Sequence, residues 1–405
     1  MIIPEAATTK FSFVIERLPG EVRNVSSIPL QLHEFHEGLN TRFTQVNGCE
    51  VVEHYGDPLV EHAALRGAAG VIDLSFRSRL CLTGADRVRF LNGQVTNNVK
   101  DLRAGQGCYA ALVTAKGKLQ SDLNIYALAD ELLLDFEPGL ATAIAQRLEK
   151  YVIADDVQVV DVAQHYGLLS VQGPRSAGVV KGLGLNWRSL GTAASDSPGS
   201  EVGVPDQPMN VVSTKDATLG ELYLANLSRF GLGGLDLLVP TPALGAVMDK
   251  LIAAARSAGG RACGWQACEM ARIEAGIPRF GIDMDETNLA PEAGIESRAI
   301  SYTKGCYIGQ EVISRIRTYG QVAKALRGLR LADNRAQLPV KGDKLFHGER
   351  EVGYITSALA SPALKANIAL GYVRKEANEI GMELRLRSAT GESAVRIAGL
   401  PFVVS

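Results

Sequence analysis

Nowhere in this 405-residue chain does an apolar run approach the roughly 18 residues of a membrane helix, so no membrane span is expected. The opening Met1-Ile2-Ile3-Pro4-Glu5 has no positive stretch followed by an apolar core, and a secretory signal is not expected either. Cysteine is sparse: Cys49, Cys81, Cys108, Cys263, Cys268 and Cys306 are scattered along the chain, which suits reduced thiols in a cytoplasm better than a disulfide framework. The six histidines show no metal-ligand spacing, His33 and His36 coming closest. Cys263 and Cys268 would point to different sides of a helix, so no metal site is expected. Charge of one sign is lacking too. With 42 Lys and Arg against 44 Asp and Glu, a formal charge of -2 provides no global basic field for nucleic acid. A local cluster, Arg315, Arg317, Lys324, Arg327 and Arg330, leaves direct RNA contact as a lesser reading beside a solvated face. There is no Walker A loop, no Gly-x-Gly-x-x-Gly after a strand and no Gly-x-Ser-x-Gly elbow, so the common nucleotide and hydrolase readings fall away.

What is present is an ordinary globular composition, 46% hydrophobic and 21% charged, in a chain long enough for two to three domains. Residues 1 to 45 are polar and weakly periodic, an N-terminal extension. A mixed region follows over 46–322, interrupted by Gly-, Ser- and Pro-rich loop composition near 191–208. Within it, Arg79–Thr83, Tyr109–Val113, Leu123–Tyr126, Glu131–Phe136, Val157–Val162 and Leu168–Gln172 read as strands. Leu140, Ile144, Leu148 and Tyr151 mark one helix, and Ala85–Asn92 a shorter one. The clearest helix lies between Thr241, its expected cap, and Gly259-Gly260. Residues 323–405 alternate in Glu383–Arg387 and Ser393–Ile397, with Gly342, Gly353, Gly371, Gly381 and Gly391 punctuating short strands, as a small β-barrel does. Strands interspersed with helices, then a β domain, predict an α+β protein.

One segment stands apart: Lys304-Gly305-Cys306-Tyr307-Ile308-Gly309-Gln310-Glu311. Its glycines permit tight turning, Gln310 and Glu311 open a helix, and Lys304 would favour a Cys306 thiolate if the two side chains are near. This segment resembles the signature of the YgfZ branch of the glycine-cleavage T-protein superfamily of folate-binding proteins. Collinear blocks extend the resemblance from about residue 50 to 375. They include Val71-Ile72-Asp73-Leu74-Ser75, Thr83-Gly84-Ala85-Asp86, Val95-Thr96-Asn97-Asn98, Gly105-Gln106 with Tyr109, Ser121-Asp122-Leu123, Val171-Gln172-Gly173-Pro174, Arg272-Ile273-Glu274-Ala275-Gly276 and Ile368-Ala369-Leu370-Gly371-Tyr372-Val373.

The resemblance implies two ferredoxin-like subdomains around a central folate pocket, plus a C-terminal small β-barrel. It implies tetrahydrofolate, or a folate derivative, as cofactor, with Asn98, Tyr109, Arg229, Arg272 and Glu274 as cofactor-binding positions and Cys306 and Asp122 as catalytic ones. Departures weigh on the choice of reaction. T-proteins carry an Asp-Asp pair where this chain has Ser121-Asp122, and a Gly-Glu-x-Gly loop where Ser228–Asp236 has no glutamate. Cys268 replaces an arginine of the T-protein helix. The reading preferred on the sequence is a folate-binding helper in assembly or repair of iron–sulfur enzymes, tRNA-modifying ones among them. Its partners would be iron–sulfur proteins or their assembly factors. The alternative is a tetrahydrofolate-dependent aminomethyltransferase, and a third reading is a ligand-binding sensor or adaptor without chemistry.

Overall fold

The structure, a computed structural model, describes residues 27–190, 201–320, 322–332, 337–389 and 391–403. Among them, strands assemble into a two-stranded hairpin, a five-stranded sheet, a seven-stranded sheet and a closed six-stranded barrel, the α+β architecture expected. No helix among the described residues is long and apolar enough to cross a membrane.

The first unit runs strand Ser78–Thr83, helix Arg87–Gln94, strands Gln106–Val113, Leu119–Ala127 and Leu132–Phe136, helix Ala141–Glu149 and strand Gln158–Asp161. Its sheet order is Gln106–Val113, Leu119–Ala127, Leu132–Phe136, Ser78–Thr83, Gln158–Asp161, all antiparallel. Apart from the Gln106–Val113 edge, that is the β-α-β-β-α-β ferredoxin-like arrangement. Every residue of Leu132–Phe136 is buried because both faces are covered. Leu132, Leu134 and Phe136 pack with Phe90, Leu91, Ile144 and Leu148 of the two helices. Leu133 packs instead with Leu168, Val211 and Leu238 of the second sheet. By strand alternation Asp135 shares that second face, so a carboxylate is carried into the space between the sheets.

The second unit repeats the plan with strand Tyr166–Gln172, helix Ser176–Lys181, strands Val211–Asp216, Gly220–Asn226 and Gly234–Pro240, helix Leu244–Ser257 and strand Arg261–Ala262. Strand Gly70–Asp73, which precedes the first unit in the chain, enters this sheet between Tyr166–Gln172 and Arg261–Ala262. The two units are thereby interleaved. Leu244, Val247, Met248, Leu251, Ile252 and Ala255 make the helix stripe that covers this sheet, all of them at most 3% exposed. Each large side chain of the stripe contributes about 1.5–3 kcal/mol of burial. The cap differs from expectation. A 3-10 turn, Thr241–Ala243, precedes the helix and moves Thr241 out of the capping position, so its Oγ1 donates to the Gln164 carbonyl at 2.9 Å.

Helix His33–Glu37 and the hairpin Arg42–Val46/Cys49–His54 precede both units. His36 is fully buried and hydrogen-bonded to Asp73 (2.9 Å) and to the Tyr55 hydroxyl (2.9 Å). Of the loop expected over 191–208, residues 191–200 lie outside the described residues, and 201–208 form no helix or named strand.

The barrel closes in the order Lys324–Leu331, Ala366–Arg374, Arg350–Ser361, Lys344–His347, Glu383–Ser388, Gly391–Ala398. Gly353 and Gly371 do not punctuate strands as expected but lie inside them. A side chain on Gly353 would meet the Tyr372 carbonyl at 2.1 Å, and one on Gly371 the Tyr354 carbonyl at 2.6 Å. Close approach of two barrel strands is the reason for both glycines.

Candidate functional site

Between the two sheets, at the end nearest helix Trp265–Glu274, lies a cavity of about 780 Å³ including its open mouth. Its first wall comes from the face of the five-stranded sheet that carries Asp122, Asn124 and Tyr109. Asn124 pairs with Asp135, and the same register carried two residues further sets Glu137 opposite Asp122. Both carboxyls line the cavity. Leu74, Phe230, Trp265 and Pro278 supply apolar wall, and Arg279 and Arg298 supply cations.

Asp122 is held by one oxygen only. The Tyr109 hydroxyl donates to Oδ2 at 2.8 Å, while Oδ1 is buried with no partner. Burial raises the Asp122 carboxyl above the usual carboxylate range, although the Tyr109 hydrogen bond and the Arg77 charge pull it the other way. Burial raises Glu137 too, against Arg77 and Arg279, and the neighbouring Asp122 charge adds to the effect. Glu137 Oε1 accepts from Arg77 Nη1 at 2.9 Å, and its Oε2 is buried without a hydrogen bond. Asp135, two residues before Glu137, behaves oppositely. Burial would raise it, but Arg229 and Arg77 outweigh that and hold it well below the ordinary range.

The structure brings Asp122, Tyr109, Arg229 and Arg272 to this one cavity. The two arginines there are already occupied. Arg229 binds Asp236 and Asp135 at 2.6 and 2.8 Å, and Arg272 binds Glu269 and Asp283 at 2.8 and 2.6 Å. Asn98 lies elsewhere, its amide on Asp101 at 2.7 Å. Glu274 is fully buried away from the cavity. His62 and Arg66 meet its Oε2 at 2.8 and 3.3 Å, and the Ser361 hydroxyl donates to its Oε1 at 2.5 Å.

The Lys304–Glu311 segment packs against the edge strand Gln106–Val113 of the first unit, and none of it lines the cavity. Lys304 does not serve Cys306. Its ammonium donates to the carbonyls of Asn92, Val95 and Asn97 at 2.7, 2.8 and 2.5 Å. Burial pushes Lys304 down to about 8, while the three acceptors favour the charged form. Tyr307 is in the core with Ala111, Val113 and Ile313. Gly309 caps helix Gln310–Tyr319 at φ 85°, and a side chain there would lie 2.5 Å from the Thr114 carbonyl. Gln310 N–H donates to the Tyr307 carbonyl, and Glu311 is exposed in the first turn. Cys306 and Gly305 are exposed, and Cys306 is the one exposed cysteine of the six.

Sequence reasoning missed Glu137, Arg279, Arg298 and Trp265. The signal for Glu137 was an acid two residues after another acid at the end of an apolar strand, a same-face spacing. Arg298 was invisible: only the fold sets its guanidinium 4.9 Å from the Tyr109 ring. The Ser121 departure also looks different in place. Ser121 is fully buried and by alternation points away from Asp122, so an acid there would not face the cavity.

Residues 32–304 match the family described as GCVT N-terminal domain, and residues 324–403 the glycine cleavage T-protein C-terminal barrel domain. The chain is 27% identical over 383 residues to an aminomethyltransferase of Corynebacterium jeikeium, covering 92% of this chain and 97% of that protein. It is 29% identical over 370 residues to an aminomethyltransferase of Mycolicibacterium paratuberculosis, covering 89% and 94%. The crystal structure of the glycine cleavage system aminomethyltransferase T from Bartonella henselae has the same fold, with a TM-score of 0.78 at 23% identity over 93% of this chain and 98% of that one. These relatives are named for aminomethyl transfer rather than as members of the YgfZ branch. The two matched regions together span nearly all the described residues, and the chain belongs to the GcvT-like folate-binding superfamily, whose cofactor is tetrahydrofolate.

Proposed function

We propose that the protein is a tetrahydrofolate-dependent aminomethyltransferase, the alternative of the sequence reading rather than its first choice. The observation that carries this is Asp122, a carboxyl raised by burial, fixed through Oδ2 and left with a free Oδ1 in a cavity walled by aromatic and cationic side chains. The residues fit the cofactor. Trp265 and Phe230 offer flat apolar faces for its rings, and Arg298, which has no carboxylate partner among the described residues, offers a cation for its acidic tail. When bound, tetrahydrofolate supplies a nitrogen that accepts the one-carbon unit. Asp122 Oδ1 takes or returns a proton at the reacting face, Tyr109 holds the carboxyl in one rotamer, and the apolar walls exclude water. Six free cysteines suit a cytoplasmic setting.

The test is a glycine-cleavage half-reaction: full-length protein, an aminomethyl-loaded lipoyl carrier and tetrahydrofolate, with ammonia release followed. Asp122→Asn should lower the rate about 10²–10⁴-fold while leaving tetrahydrofolate binding in place. Because Asp122 is raised, the ascending limb of the pH–rate profile should lie above the ordinary carboxylate value of about 4 and vanish in that variant. Folate binding with no ammonia release would exclude the transferase.

One observation favours a second reading, the iron–sulfur helper: Cys306 is exposed on a loop whose neighbours are locked in place. One thiolate holds no cluster alone, so a partner or a second thiol would complete the site. Cys306→Ser separates the two readings when ammonia release in the half-reaction and the activity of iron–sulfur enzymes in cells carrying the variant are both followed. The transferase tolerates it, and support of iron–sulfur enzymes does not.

A further inference from the structure

Two polar atoms in the cavity wall are paired by charge but share no hydrogen bond. Glu137 Oε2, an acceptor on a side chain 8% exposed, and Arg279 Nε–H, a donor, stand 3.8 Å apart. That is too long for a hydrogen bond, and each is buried with no other partner. Each residue is also held elsewhere: Glu137 Oε1 accepts from Arg77 Nη1 at 2.9 Å, and Arg279 Nη1 donates to Glu269 Oε1 at 2.9 Å. The two residues are therefore held by the protein from behind, with one acceptor and one donor left side by side. Trp265 lies beneath the Arg279 guanidinium at 4.9 Å, so a planar ring entering beside the pair has an aromatic wall to lie along.

Buried polar groups without a hydrogen bond are destabilising unless something satisfies them. A ligand that satisfies both must present a donor to Glu137 and, next to it, an acceptor to Arg279. A ring N–H beside a ring carbonyl, the lactam edge of a 2-amino-4-oxo-pyrimidine, is that pattern. Pterins carry it, and so does guanine.

We propose that Glu137 and Arg279 form the recognition pair for the lactam edge of the folate pterin, Glu137 accepting from the ring N–H and Arg279 donating to the carbonyl. This rests on the folate reading above and adds which residues choose the ring. It leaves Asp122, on the neighbouring strand, free for proton transfer.

The test is equilibrium binding to the full-length protein, with no turnover involved. Tetrahydrofolate is compared with its 4-amino-4-deoxy analogue, in which the carbonyl acceptor becomes a donor and the ring N–H becomes an acceptor. The wild-type protein should prefer the 4-oxo compound by at least about 10-fold, the size of one charged hydrogen bond made or lost. Glu137→Gln keeps an acceptor for Arg77 and replaces Oε2 with a donor, so the preference should fall below about 3-fold. Equal affinities in the wild-type protein would mean that the pair merely holds a water, and would overturn the proposal even if Glu137→Gln failed to fold. A preference that survives in a folded Glu137→Gln would overturn it too, leaving the folate reading intact. Guanosine carries the same edge but no acidic tail for Arg298, so it should compete at least about 10-fold more weakly than tetrahydrofolate. Competition as strong as that of tetrahydrofolate would assign the edge to a purine. Wild-type protein that binds neither folate would remove the folate reading itself.

Discussion

Asp122 and Asp135 show how far environment decides what one residue type does. Both face the space between the sheets, but Asp135 lies between Arg77 Nε at 2.7 Å and Arg229 Nη2 at 2.8 Å, whereas Asp122 has a phenol and no bonded cation. Asp135 is therefore structural. Its folded pKa is depressed, so its contribution is fully present above the unfolded value of about 3.9 and is lost as pH falls through the folded value. Arg229→Met should destabilise the protein by about 3–5 kcal/mol at pH 7, since it strands buried charge. The gap from wild type in urea midpoints should narrow below about pH 4, as the carboxyls protonate. A gap constant from pH 7 to 3 would mean that Asp135 is not the coupled group.

At the scale of elements, the Lys304–Glu311 segment is a strap rather than a thiolate-activating loop. Lys304 ties the end of helix Arg87–Gln94 and the chain after it, through the Asn92, Val95 and Asn97 carbonyls, to a segment more than two hundred residues away in sequence. Tyr307 fills the core beside it, and Gly309 admits the close approach to the Thr114 carbonyl. Lys304→Met keeps the stem's packing and removes the donors. It should cost about 2–4 kcal/mol in urea unfolding, because three partly or fully buried acceptors lose their partner. A loss below about 1 kcal/mol would show that water reaches those carbonyls and that the strap holds by Tyr307 alone.

At the scale of the molecule, Glu274 joins three parts. Its carboxylate meets His62 and Arg66 of helix Pro58–Gly67 and Ser361 at the end of barrel strand Arg350–Ser361, while its own helix lines the cavity. The Phe402 amide donates to the Glu274 carbonyl at 3.0 Å, which adds the last described residues of the chain to the joint. Burial would raise this carboxyl, but the His62 and Ser361 hydrogen bonds outweigh it and lower it. Glu274→Ala should cost about 3–5 kcal/mol and split thermal unfolding into two transitions as the barrel separates from the sheets. A single transition within about 1 kcal/mol of wild type would place the coupling in the apolar contacts instead.

The amino-acid sequence by itself determined the strands, the helix stripes, the barrel and the superfamily. These follow from local spacing, of two residues for strands and between three and four for helices, and from the order of motifs along the chain. Leu251 and Ile252 had to be covered wherever their helix went, and Leu384 and Leu386 had to share one face of a strand. Tertiary structure alone decided the rest. It inserted Gly70–Asp73 into the second sheet, turned Lys304 from its expected thiol to three carbonyls, and placed Arg279 against Glu137 and Arg298 over Tyr109. The physical reason is the same in each case. An apolar residue is satisfied by any close-packed interior, so its fate is legible from pattern. A buried polar atom is satisfied only by a particular partner, and that partner is chosen by which distant segment the fold brings opposite.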